Sequence, residues 1–365
     1  MYFKKLFFIF IVSVIANKSF SETLVKQIGP NLNYPWGVSK IDDQNVLVTE
    51  KPGKLSIINT SNGSVTEIKN LPNIYYINQG GLLDVYVKKI HSNIHVFLCF
   101  SKASDRLFHS TVVLQQSILN SDKLENNQII FTTKTPHKES LHYGCRIAVT
   151  DNYVYLSLGE RGNRNNSQNT NNYEGSIVRV KFDGTVIKNN PFNNNWLSEV
   201  YSIGHRNPQG LIIDKETNKI WSHEHGPQGG DEINLIEAGR NYGWPKATHG
   251  EEYGGGKIGK ISIDGFIGPK WVWIPSIAPS GMALYNGNMF PELNNHLLIG
   301  ALKAKNIYAV KIDKDIITSE KKILKDVYGR IRDIEVMNDG SIIFLTDEEV
   351  NGMYKGGLYK IFKSE

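Results

Sequence analysis

RDIEVMNDGSIIFLTDE (332–348) contains an apolar run, a tight turn at Asn338-Asp339-Gly340 and a second apolar run that ends on polar residues. A segment of this kind is an antiparallel hairpin, and GLYKIF (357–362) follows it as a third strand. The same unit returns along the chain. It is present in WGVSKIDDQNVLVTEKPGKLSII (36–58), in RIAVTDNYVYLSLGERG (146–162) with GSIVRVKFDG (175–184), and in QGLIIDKETNKIWSHEHG (209–226) with DEINLIE (231–237). Runs with helical period are few, and Gly, Asn and Asp turns punctuate the strands. Marking the first strand of each unit gives Trp36, Gly81, Arg146, Gln209, Gly281 and Arg332, separated by 45, 65, 63, 72 and 51 residues. Those intervals suit a four-stranded blade with its loops. Six marks predict an all-β chain folded as a six-bladed β-propeller, with a strand from each terminus sharing one blade so that the ring has no free edge. A pair of β-sandwiches is the competing architecture, and the return of one unit at both ends of the chain speaks against it.

The chain has 365 residues, 40% hydrophobic and 21% charged, with a formal net charge of +5. Two cysteines cannot make a disulfide scaffold, and no block of like charge marks a nucleic-acid-binding tail. Residues 1–21, MYFKKLFFIFIVSVIANKSFS, carry Lys4 and Lys5, an apolar run from Leu6 to Ala16, and a small-x-small pattern at Ser19-Phe20-Ser21. The apolar run is too short to span a hydrocarbon core roughly 30 Å thick, so the segment reads as a cleaved export signal rather than an anchor. Its removal leaves 22–365 as a single propeller domain with a formal charge of +2 and no membrane span. The expected location is periplasmic or secreted. In that compartment Cys99 and Cys145 either pair or remain as buried thiols.

Inner strands of a propeller end around a central channel, and the polar residues that close the repeats here belong at one mouth of it. Arg206, Lys303, Arg330 and Arg332 make that mouth cationic, suited to a ligand with several carboxylates or phosphates. His142 has the chemistry of a general base, and Glu160, at the end of the next strand of the same unit, is placed to orient its imidazole. GGDEIN (229–234) with NYGWP (241–245) has the carboxylate and carbonyl composition of a hard-cation loop. No zinc-type His/Cys spacing, P-loop, dinucleotide Gly fingerprint or G-x-S-x-G elbow is present.

At these motifs the sequence resembles the soluble quinoprotein glucose and aldose sugar dehydrogenases, which use pyrroloquinoline quinone (PQQ) and calcium. The resemblance covers nearly all of 22–365 and is carried most specifically by NQGGLLDV (78–85), HYGCRIAV (142–149), GHRNPQGL (204–211), EHGPQGGDEINLIEAGRNYGWP (224–245) and IAPSGMALY (277–285). It implies a six-bladed propeller that oxidises aldoses at C1. His142 would be the catalytic base and Glu160 its supporting acid, while hydride passes to C5 of the quinone. Gln79, Arg206, Asn207, Lys303, Arg330 and Arg332 match cofactor contacts. The carbonyls of Gly226 and Pro227 match ligands of a catalytic calcium, and Glu232 with the Tyr242 carbonyl matches a second, structural one. The electrons go to an external acceptor that the sequence does not name, and the protein is expected as a monomer or homodimer.

Two departures stand out. Cys145 replaces a small polar residue after His-x-Gly, and Gln228 stands where an Arg is common. The chain is also shorter than the glucose-specific members, which favours the broader aldose type. The Asn-rich stretch 163–173 either borders the mouth or is a flexible connector. Two other readings use the same architecture: a calcium-dependent lactonase-type hydrolase, which wants carboxylate and Asn ligands in the channel, and a binding propeller without catalysis.

Overall fold

The computed structural model describes residues 22–187 and 195–364; the export segment read at 1–21 lies outside them. The described chain is a ring of six antiparallel sheets, a six-bladed β-propeller. The first blade consists of Pro35–Lys40, Asn45–Glu50, Lys54–Asn59 and Val65–Glu67. The second consists of Leu82–Ile90, Asn93–Ala103, Ser110–Asn120 and Lys123–Thr132. Gly144–Val149, Tyr153–Leu158, Ser176–Lys181 and Val200–Ile203 form the third, to which Arg240–Asn241 adds in parallel. Pro208–Ile213, Ile220–Glu224, Asp231–Ile236 and Trp271–Trp273 form the fourth. The fifth holds Pro279–Tyr285, His296–Ala301, Asn306–Asp313 and Ile316–Lys322. The sixth holds Arg330–Val336, Ile342–Val350 and Met353–Lys363, and its outermost strand is Thr23–Asn33 from the other end of the chain. The shared blade expected from the sequence is therefore present.

Each blade packs on a neighbour through both faces, which is why its strands read as nearly continuous apolar runs rather than alternating ones. Six hydrophobic clusters fill the six seams. Leu47 and Leu82 meet between the first two blades, and Cys99 and Val154 between the second and third. Tyr155 and Leu211, then Trp221 and Leu297, then Leu298 and Phe344 fill the next three seams. Val46 against Ile343 closes the ring. Cys99 and Cys145 are joined as a disulfide across the second seam, which settles the two alternatives left by the sequence.

Every innermost strand breaks register in its first half, at Pro35/Val38, Leu82/Val85, Gly144/Ile147, Pro208/Gly210, Pro279/Met282 and Ile331/Asp333. Such bulges re-aim side chains. Here five of the six enclose a repeat mark and the other begins one residue after Gly81, and three of the residues involved meet in a buried cluster. Arg146 Nη1 lies 3.0 Å from both Asp84 Oδ1 and Asp333 Oδ1, and its guanidinium stacks 4.0 Å over the Trp36 ring. Burial raises Asp84 to about 7, against the pull of Arg146 and with the push of Asp333. The cluster separates the channel into two cavities: Leu83, Gln209 and Arg332 line one, Asp84, Arg146 and Asp333 the other.

Candidate active site

The larger cavity, about 990 Å³, opens where innermost strands begin and second strands end. Gln79, His142, Arg206, Asn207, Gly226, Pro227, Lys303, Arg330 and Arg332 all line it. Nine site residues expected from the sequence are thus brought together. Glu160 stands behind His142, while Glu232 and Tyr242 share a separate small recess with Glu224.

His142 sits at φ +46°, a left-handed backbone conformation that costs a non-glycine residue free energy. Its N–H donates to Gln79 Oε1 at 2.8 Å, and its Nδ1 is 2.8 Å from Glu160 Oε2. The Glu160 side chain is 3% exposed and also accepts from the Gly162 N–H. With a carboxylate as neighbour, Nδ1 carries the proton. Nε2 is then the lone-pair nitrogen, and it has no protein partner among the described residues. The approach requires Gly159: a Cβ there would lie 2.1 Å from the His142 carbonyl oxygen.

The cavity wall holds five basic side chains, Lys51, Arg206, Lys303, Arg330 and Arg332, against two acidic ones, Glu251 and Asp347. Asp347 is already committed, accepting from Arg330 Nε at 2.9 Å and from Arg332 Nη2 at 2.7 Å. Arg206 donates to the carbonyls of His225 and Gly226 at 3.2 and 3.0 Å. Asn207 Oδ1 accepts from the Gly144 N–H and from Gln209 Nε2. His225 is neutral: burial pushes it down to about 4 against the pull of Asp231, and its Nε2 donates to the Pro279 carbonyl at 2.6 Å.

Lys51 and Asp347 are cavity residues that the sequence reading passed over. Lys51 directly follows the second strand of the first blade, as His225 follows that of the fourth, while Glu160 and Lys303 lie one residue further on in theirs; the polar residues closing each repeat were the signal for it. Burial lowers its pKa to about 8, helped by Arg332 and opposed by Asp347. The stretch 163–173 neither lines the cavity nor runs free. Arg164–Gln168 is a 3₁₀ turn, Arg164 forms a two-pronged pair with Glu252, and Gln168 Nε2 donates to the Trp244 carbonyl.

Among the described residues no three His, Cys, Asp or Glu side chains form a metal-binding group. A carbonyl-based site needs no such cluster. Pro227 is buried at the cavity and its carbonyl accepts no hydrogen bond from the described residues, and Gly226 cannot carry a side chain because a Cβ would lie 2.1 Å from the Gly229 carbonyl oxygen. Glu232 faces Glu224 across neighbouring strands. Burial, then Glu224, raises its pKa well above the carboxylate range. No ion pair balances it among the described residues, so the recess suits a hard cation.

A family model described as Glucose / Sorbosone dehydrogenase matches residues 32–355. The aldose sugar dehydrogenase YliI of Escherichia coli (strain K12) is 33% identical over 341 residues, 91% of this chain and 92% of that protein. The crystal structure of the soluble aldose sugar dehydrogenase from Escherichia coli in its apo-form superposes with a TM-score of 0.86, at 32% identity over 94% of this chain and all of that one. A PQQ-bound aldose sugar dehydrogenase from Streptomyces coelicolor gives 0.75, at 25% identity over 93% of this chain and 99% of that one. The six-bladed fold and these matches place the chain in the class of propeller-fold sugar dehydrogenases. This chain belongs to the glucose/sorbosone dehydrogenase family.

Proposed function

We propose that the protein is a PQQ- and calcium-dependent aldose dehydrogenase that oxidises the sugar at C1 to a lactone and passes the electrons to an external acceptor. The observation that carries the reading is the His142–Glu160 pair opening on a cavity with five cations. PQQ, when bound, supplies a hydride acceptor polarised by the calcium ion. Arg206, Lys303, Arg330 and Arg332 would hold its three carboxylates, with Gln79 and Asn207 as polar contacts. The carbonyls of Gly226 and Pro227 would hold the catalytic calcium, and Glu232 with the Tyr242 carbonyl the structural one.

Within this frame the chain's own residues handle one proton. His142 Nε2 takes it from the C1 hydroxyl as the C1–H bond gives up its electron pair, and a C1 carbonyl forms. Glu160, accepting the Nδ1 proton, keeps Nε2 basic and stabilises the imidazolium that results. The seam disulfide supports an oxidising compartment, and with it the reading of residues 1–21 as an export signal to the periplasm or beyond.

Reconstitution tests this proposal: apo-protein, PQQ and calcium with a panel of aldoses and an electron-accepting dye. Dye reduction requiring both additions is expected; absence of PQQ binding would move the assignment to a hydrolase or a binding propeller. His142→Ala should cut kcat by about 10²–10⁴-fold while PQQ stays bound. Arg206→Ala should instead weaken PQQ retention, and unchanged affinity would remove its assigned role.

A further inference from the structure

Arg161 follows Glu160 directly in sequence and has no part in the chemistry above. It is 2% exposed, and its guanidinium makes no ion pair among the described residues; Glu174 and Glu139 act on it only at longer range. Instead Nε donates to the Leu141 carbonyl at 3.0 Å and Nη2 to the Glu139 carbonyl at 2.6 Å, with a longer contact to Ser110 Oγ at 3.4 Å. The guanidinium carbon lies 3.7 Å over the Tyr143 ring, whose hydroxyl is 2.8 Å from Ser110 Oγ. Two carbonyls before His142 and one ring after it are thus gripped by a single side chain.

This arrangement is expensive. A buried cation without a carboxylate partner is destabilising, and an apolar side chain would fill the space more cheaply. His142, Cys145 and Arg161 all sit at positive φ, at +46°, +73° and +59°. Such residues persist only where their surroundings over-determine them. The flanks of the segment have other anchors, the Ser110–His137 bridge on one side and the Cys99–Cys145 disulfide on the other. Between them, Gln79 holds the Ser140 carbonyl and the His142 N–H, and Ser110 meets the Tyr143 hydroxyl; the carbonyls of Glu139 and Leu141 are held by Arg161.

We propose that Arg161 is a positioning residue that holds the 139–143 segment so that His142 keeps Nδ1 on Glu160 and Nε2 toward the reacting hydroxyl. The inference rests on the reading of His142 as the base. Arg161→Met and Arg161→Lys in the full chain test it, with His142→Gln as reference. Four quantities are measured: thermal unfolding, PQQ binding to the apo-protein by fluorescence titration, and kcat and KM of the reconstituted enzyme. Arg161→Met should fold, bind PQQ within twofold of wild type, keep KM within threefold and lose kcat about 10–100-fold, the scale of a small misplacement of a reacting group. Arg161→Lys, which keeps the charge but loses the fork, should recover part of that kcat. Wild-type kcat in a folded Arg161→Met protein, or a loss shared equally with PQQ affinity, would overturn the proposal. If Arg161→Met does not fold, Arg161→Lys carries the same kcat-against-KM test. Retained kcat in His142→Gln would overturn the underlying base assignment, whatever the Arg161 variants do.

Discussion

Lys51 carries its charge between the rings of Tyr34 and Tyr76, 5.9 and 5.5 Å from their centroids, and donates to the Asn78 carbonyl at 2.6 Å. With its pKa lowered to about 8, it is a cation at neutral pH and loses that charge as the pH rises through 8. If the cavity holds a tricarboxylate, the affinity for PQQ should fall across that interval. Lys51→Met should weaken binding about tenfold at pH 7, the scale of one charge-assisted hydrogen bond. It should also flatten the profile between pH 7 and 9; an unchanged slope in apo-protein titrations would remove Lys51 from the site. His142 and Arg206 were legible because rare residue types stand beside glycine and proline at repeat ends. Lys51 was not, because a lysine before Pro52-Gly53 has the local pattern of a solvated turn. Its place at the cavity, over the rings of Tyr34 and Tyr76, is set by residues that lie far from it in sequence.

The strands of the blades were readable from apolar runs and turn residues, since local propensity and tertiary packing agree there. The inner-strand bulges were not, because they record how strands meet at the axis rather than anything periodic along one strand. Nor was the fate of 163–173: its asparagines read as flexible, yet Asn166, Ser167 and Asn172 are buried. The Cys99–Cys145 link joins the second strand of one blade to the first strand of the next, three residues beyond His142, and closes a separation of 46 residues. Loop-closure entropy puts the stabilisation from a loop of that size at about 4 kcal/mol. Cys99→Ala with Cys145→Ala should therefore lose about 3–4 kcal/mol in denaturant unfolding. A loss under about 1 kcal/mol would show that the seam holds the two blades without the bond.

At the scale of the molecule, Asp84, Arg146 and Asp333 bring the second, third and sixth blades together at the axis. Two carboxylates share one guanidinium, and Asp84 is raised to about 7. Between about pH 4 and 7 the folded state thus keeps a proton that the unfolded chain has released. The contribution to stability is present below pH 4 and is lost as the pH rises through 7, with a slope of at most about 1.4 kcal/mol per pH unit. Asp84→Asn, which leaves a neutral cluster, should flatten that decline in urea midpoints taken from pH 4 to 8; an equal slope in both proteins would refute the assignment. The sequence displayed the six units but not this hub, whose members are single residues in three separate repeats. One consequence follows from the shared sixth blade. The Ser364 N–H donates to the Glu22 carbonyl at 2.8 Å, and the Glu22 N–H donates to Ser364 Oγ at 2.9 Å, so the two described ends of the ring touch. A short peptide could splice them head to tail, and the ring could be reopened at the exposed turn Asn120–Lys123 to give a circular permutant with every blade intact.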